Sequence, residues 1–273
     1  PPLLHESRSG WADPTATLAT LEGMARAAGV EIRTGVEVTG FELDGGAAVE
    51  AVRTPAGRLA CDLVVLAPGP WARDLLRMLD LTTELELHYW QVREGEYAHS
   101  SAALGPTDPV VHLDADEPVS GLPPHWGIYF RPGLGHGAAI GGLPLPLDPE
   151  CELDPYGPSH PELGGTTRDF DEGITAAMAW ALRRFDGGFD RWTCSSWAAQ
   201  TGFTPDSYPV VDFVRENVYA VLDSNHGFKM LALGKLAAAE LEGERRPALD
   251  AFRLSRFGRK ALHPASASPY PWT

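Results

Sequence analysis

The sequence predicts a mixed α/β (α+β) fold, and three observations predict it. Residues 63–67 (Leu-Val-Val-Leu-Ala) and 218–222 (Val-Tyr-Ala-Val-Leu) are short apolar runs with the length and β-branched content of buried strands. The second run is followed by a polar stretch and then by a small, apolar helical pattern, the strand–loop–helix order of an α/β unit. Between the two runs lies a Pro- and Gly-rich middle with strand-like pieces and one helical pattern, which reads as a separate, mainly antiparallel sheet.

The elements follow in order. Asp13-Pro14 reads as an N-cap and a first helical position. Leu18, Leu21, Ala25 and Ala28 continue at helical spacing, and Gly29 closes the helix. Val30-Glu31-Ile32 reads as a short strand. Val36, Val38 and Phe41 are spaced for a second strand or a bulged pair ending at Gly45-Gly46. Val49, Val52 and the Pro55-Ala56-Gly57 turn extend a meander. The run at 63–67 reads as a strand covered on both faces, stopped by Pro68-Gly69-Pro70. In the middle, Ile128-Tyr129-Phe130-Arg131 and Ala138-Ala139-Ile140 are strand-like, and a helix is expected over about 175–185. Near the end, the strand at 218–222 leads through a polar loop, 223–227, into a helix over about 228–241. That helix is apolar enough to be buried and is closed near Gly243.

Composition bounds the function. The 273 residues carry a net charge of −15, which argues against nucleic-acid or anionic-membrane partners, because phosphate binding draws on Lys and Arg. The three cysteines form no CxxC pair and fit reduced thiols in a cytoplasm. The nine histidines include no HExxH and no pair spaced for a metal, and no GxSxG elbow is present. No apolar run reaches the ~18 residues of a membrane span, and nothing resembles a signal peptide. The chain opens on Pro1-Pro2, so a fragment, a trimmed chain or a processed product is expected.

One motif is set aside. Residues 133–138 (Gly-Leu-Gly-His-Gly-Ala) match the GxGxxA dinucleotide fingerprint, but that fingerprint needs a helix straight after the glycines. Gly141-Gly142 and then Pro144, Pro146 and Pro149 follow instead, so a Gly-rich hairpin turn is expected. The candidate site lies elsewhere. Ligands of α/β sheets gather at the carboxyl ends of strands, beside helix N-termini. Gly227 precedes such a helix, and Lys229 stands in its first turn, where a cation opposes the helix dipole unless an anion lies nearby. A solvent-facing Lys is the other reading. Residues 67–70 (Ala-Pro-Gly-Pro) form a second candidate, a small-residue turn that a ligand can approach closely, or an ordinary tight turn.

Six passages stand out in order from Ser9 to Phe257: residues 9–14 with the helix and 29–32; residues 63–71 ending in Pro70-Trp71; Tyr129-Phe130-Arg131-Pro132 with Gly141-Gly142; Trp197 through Thr204-Pro205-Asp206 to Pro209; His226-Gly227-Phe228-Lys229; and residues 252–257. Together they resemble flavin-dependent amine and amino-acid oxidoreductases of the D-amino-acid oxidase, sarcosine oxidase and dimethylglycine dehydrogenase type. The departures are the absence of the family's N-terminal GxGxxG unit and of its ribose-binding acid. Pro68 stands where Ala is usual, and Ala199 stands where monomeric sarcosine oxidases carry a flavin-linking Cys.

The resemblance implies non-covalent FAD. It also implies part of a doubly wound FAD-binding domain (1–84), a mixed, mainly antiparallel substrate domain (85–192), a return segment (193–258) and a tail (259–273). The reaction implied is oxidation of the C–N bond of a small amine or amino acid (sarcosine, dimethylglycine, glycine or D-amino-acid class) to an imine, by hydride transfer to flavin N5. Lys229 would pair with the substrate carboxylate and Arg131 would form a bidentate clamp on it, unless Arg131 is held in a structural ion pair; His226 stands at the chemistry with them. Val38, Ala67, Pro68, Gly69, Trp71, Asp206, Gly227, Phe228 and Lys229 would contact the cofactor. A partner chain or a preceding segment would complete the FAD site. A non-catalytic or truncated subunit that does not bind FAD alone, a binding module, and a dehydrogenase rather than an oxidase remain alternatives.

Overall fold

The computed structural model describes residues 11–81, 85, 87–105, 107–108, 110–133, 139–148, 150–153, 166–222 and 230–264. The chain forms two compact units: one of Pro1–Gly29, Gln91–Leu145 and Asp154–Gln200, the other of Val30–Trp90, Pro146–Leu153 and Thr201–Thr273. The stretch 1–84 is thus divided between them at Gly29.

In the first unit, helix α1 (Pro14–Ala27) begins and ends where its caps require. The Asp13 carboxylate accepts from the backbone N–H groups of Thr15 (2.9 Å) and Ala16 (3.2 Å), and Gly29 turns the chain away at φ +87°. Among the described residues α1 has no buried side chain, and Leu18 and Met24 are largely exposed.

The body of this unit is a five-stranded sheet. Its strands are β5 (His88–His99), β6 (Val111–Ala115), β7 (Trp126–Pro132), β8 (Ala139–Pro146) and β9 (Trp192–Phe203), arranged β6-β7-β8-β5-β9. Strands β6, β7 and β8 pair antiparallel, with Val111 opposite Phe130 and Tyr129 opposite Gly142. Pro132 pairs with Ala139; the Gly-rich turn expected over 133–138 lies, from residue 134, outside the described residues.

Strand alternation divides the sheet's faces. Trp126, Ile128 and Phe130 are fully buried on one face. Helix α3 (Arg168–Ala181) turns Phe170, Ile174, Ala177 and Met178 inward at helical spacing, and its Trp180 ring meets Trp126 edge-on at 5.6 Å. This helix starts earlier than the expected 175. Thr167 caps it by accepting from the Phe170 N–H, and Asp169 and Asp171 suit its N-terminal dipole. Its expected last turn, Arg183–Phe185, is a separate 3₁₀ turn.

In the second unit, β1 (Gly40–Leu43), β2 (Val49–Thr54) and β3 (Gly57–Ala60) form the expected meander, with a register slip at Glu42/Leu43. The expected strand at 30–32 does not form. No described strand pairs with it, Val30 is half exposed, and Glu31 is ion-paired to Arg33 instead. A second sheet has the order β10-β11-β4, from β10 (Val210–Arg215), β11 (Val218–Leu222) and β4 (Val64–Leu66). Strand β11 runs parallel to β4 and antiparallel to β10.

The 63–67 run is covered on one face, not two: Val64 and Leu66 are buried, whereas Leu63 is 43% and Val65 48% exposed. The short helix α2 (Ala72–Met78) that follows has no counterpart among the expected elements. Helix α4 (Met230–Leu241) is also less buried than its composition suggests. Leu233, Leu236 and Ala237 pack beside Tyr219 and Leu249, while Ala232, Gly234, Lys235 and Ala238 are exposed. Gly243 closes it at φ +91°.

Candidate active site

The face of the five-stranded sheet opposite α3 carries charge and aromatic rings. Tyr129 and Arg131 alternate with the buried Trp126, Ile128 and Phe130, so both project from this face. Glu94 of β5 and Trp197 of β9 join them. Tyr129 donates its hydroxyl proton to Glu94 Oε1, and the Trp197 indole N–H donates to Oε2 at 3.2 Å. His112 of β6 stacks on Tyr129 with ring centroids 5.8 Å apart.

The reach of Tyr129 depends on Gly142. Strand β8 lies between β7 and β5, and Gly142 stands directly opposite Tyr129. A Cβ there would fall 2.8 Å from the Arg93 carbonyl oxygen, 2.9 Å from the Tyr129 hydroxyl and 3.0 Å from Glu94 Cγ. The missing side chain is the gap across which Tyr129 meets Glu94. The Gly141-Gly142 pair was legible as a motif; Glu94, a lone acid within a strand, was not.

Arg131 is half-buried, and its guanidinium lies 4.7 Å over the Trp11 ring. Its hydrogen bond is to the Pro132 carbonyl oxygen at 3.0 Å. Among the described residues it has no ion pair. Burial holds the Arg131 guanidinium below its ordinary value, although Glu94, Asp13 and Glu96 pull the other way. For Glu94, burial pushes the carboxyl up, and the Trp197 N–H and the Arg131 charge offset part of that.

In the second unit, the parallel pairing of Leu66 with Ala220 brings the carboxyl ends of β4 and β11 to the same edge of their sheet. Ala67 is exposed there. Gly69 has φ +57°, and a Cβ built on it meets nothing within 4 Å. Trp71 packs against the core beneath, with Tyr89 donating its hydroxyl proton to the Pro70 carbonyl at 3.2 Å. Val38 is half-buried beside Phe41 and Val64. Gly227, Phe228, Lys229 and His226 lie outside the described residues. The small-residue turn at the ends of parallel strands leaves the open backbone that a cofactor's close approach requires.

Asp206 is committed within its own unit. Its carboxylate takes both Nε (2.8 Å) and Nη2 (2.9 Å) of Arg256 and the backbone N–H groups of Tyr208 and His263 (each 3.2 Å). Among the described residues no group of His, Cys, Asp or Glu could hold a metal ion, and no helix is long and apolar enough to cross a membrane. Burial pushes the Cys194 thiol up to about 11, which keeps it protonated and unreactive.

A family model described as FAD dependent oxidoreductase matches residues 3–240. The solved L-proline dehydrogenase of P. horikoshii is 21% identical, with a TM-score of 0.66 over 92% of this chain and 62% of that one. Glycine oxidase of Geobacillus kaustophilus is 19% identical, with a TM-score of 0.62 over 88% of this chain and 55% of that one. NikD, described as an unusual amino acid oxidase, is 20% identical, with a TM-score of 0.56 over 80% of this chain and 54% of that one. The chain therefore spans less than two thirds of the length of these structures. No curated protein matches the sequence.

Proposed function

The chain belongs to the FAD-dependent oxidoreductase family, and we propose that within it the protein oxidises the C–N bond of a small amino acid, of the glycine, sarcosine, dimethylglycine or D-amino-acid class, to the imine. The observation that carries this reading is Arg131. A half-buried guanidinium, braced over Trp11 and without an ion pair among the described residues, is set to take a carboxylate. Trp11, Tyr129 and Trp197 supply the aromatic walls. The amino-acid chemistry named for the solved L-proline dehydrogenase, glycine oxidase and NikD is in keeping with this substrate class.

FAD, when bound, supplies the hydride acceptor. Ala67, Pro68, Gly69 and Trp71 at the end of β4, Val38 beside it, and Gly227, Phe228 and Lys229 after β11 are the residues assigned to hold it. In this reading Asp206 acts through Arg256, by fixing the backbone near the strand ends. Lys229 and His226, which lie outside the described residues, are the other residues that the family resemblance assigns to the substrate. A further strand, from another chain or another segment, would pair along β4, which stands at the edge of the described β10-β11-β4 sheet, and would complete the FAD site.

Arg131→Gln tests the substrate half of the proposal. Losing a charge-assisted carboxylate contact of about 1.5–3 kcal/mol should weaken amino-acid binding roughly 10- to 100-fold while the melting temperature holds. Intact affinity with a lowered melting temperature would give Arg131 a structural role and remove the reading. Titration with FAD, followed by the visible flavin band, tests the other half. Saturable binding supports a chain that forms the cofactor site. Binding only after the strand beside β4 is supplied favours the partial subunit.

A further inference from the structure

We propose that Glu94 is the residue that receives the substrate's ammonium group, so that Arg131 and Glu94 together select a zwitterion. The inference rests on the amino-acid reading above and deepens it. Both groups project from one face of one sheet, and each lacks an ion-pair partner among the described residues. Arg131 has a carbonyl and an aromatic ring; Glu94 has two neutral donors, the Tyr129 hydroxyl and the Trp197 indole. They influence each other's charge without a hydrogen bond between them. A cation and an anion that share a face and do not close on each other are the inverse of a molecule carrying a carboxylate and an ammonium a short distance apart.

The surroundings of Glu94 support this role over a structural one. An acid that only bridged Tyr129 and Trp197 could be a neutral Gln, which would avoid the cost of desolvating a charge. The sheet instead builds around the carboxylate. Gly142 is bare so that Tyr129 can reach across β8, and Trp197 closes from β9 on the other side. Two neutral donors fix the carboxylate's position, and among the described residues no cation closes on it as an ion pair. Burial destabilises that charge, and a bound ammonium would restore it.

The test uses calorimetry on the protein with a panel of α-amino, N-methyl-amino and cyclic imino acids. The tightest ligand is then compared with its des-amino carboxylic acid, which keeps the group for Arg131 and loses the group for Glu94. Wild type should prefer the amino acid roughly 10- to 100-fold, the ratio of one charge-assisted contact. Glu94→Gln should bring that ratio close to one by weakening the amino acid alone and leaving the des-amino acid unchanged. A Glu94→Gln protein that keeps the wild-type ratio overturns the proposal. So does a wild-type ratio near one, which needs no variant. A panel in which nothing binds wild type overturns the amino-acid reading itself, so the two failures are distinguishable.

Discussion

Asp206→Ala should lower the melting temperature by roughly 10 °C, from a loss of about 3–5 kcal/mol at about 2–4 °C per kcal/mol. The Asp206 side chain is fully buried and that of Arg256 is 6% exposed, so removing the acid leaves a guanidinium in the core with no counter-charge. It also releases the backbone N–H groups of Tyr208 and His263 that the same carboxylate holds. A melting temperature within about 2 °C of wild type would show that the pair is not what ties the end of the chain to β10. The double change Asp206→Leu with Arg256→Met, which removes both charges, should recover much of the loss.

The same pair sets an acid limit. Burial pushes the Asp206 carboxyl up, but the Arg256 hydrogen bonds and charge, with the two backbone N–H groups, leave it lowered on balance. The folded value therefore lies below the unfolded one. The stabilisation is complete above the unfolded carboxyl's value of about 3.9 and is lost as pH falls through the lower folded value. Stability measured against pH in that window should fall more steeply for wild type than for the double variant, which keeps the other paired acids such as Asp108 and Glu240.

Gly142→Val should cost about 3 kcal/mol and abolish amino-acid binding. Strand propensity alone points the other way, since Val is favoured over Gly in a strand by as much as about 1 kcal/mol. Sterics decide it. The new Cβ would stand 2.8 Å from the Arg93 carbonyl oxygen, which is strand backbone and has little room to yield. The Tyr129 hydroxyl and Glu94 Cγ, at 2.9 and 3.0 Å, would have to move apart, and the bridge between them would break. Gly142→Ala should show the same effects in smaller measure. A stable Gly142→Val protein with unchanged ligand binding would mean that the Tyr129–Glu94 contact does not shape the site.

Local chemistry was legible in the sequence. The N-cap of α1 at Asp13 and its close at Gly29 rest on the residues' own hydrogen bonds and backbone freedom, so they could be placed without knowing any neighbour. The strands at 64–66 and 218–222 and the shared face of Tyr129 and Arg131 likewise follow from hydrophobic run and strand period. What covers an apolar run was not legible, because hydrophobicity records only that a side chain favours burial. Residues 63–67 and helix α4 were expected to be enclosed; Val65 and Ala238 are exposed. Val30-Glu31-Ile32 had strand composition, but a strand exists only where another backbone pairs with it.

The site divides in the same way. Arg131 could be singled out from its motif, but its lack of an ion pair among the described residues could not, since that depends on every neighbour at once. Glu94 is 37 positions from Arg131 and two strands away in the sheet, so no spacing links them. Only the pairing of β7 with β8, and the missing side chain at Gly142, bring Tyr129 to Glu94. Sequence determined which residue types were available and which elements they form. Tertiary structure decided which charges are left uncompensated, because that depends on the distance between groups from different strands and not on the groups themselves.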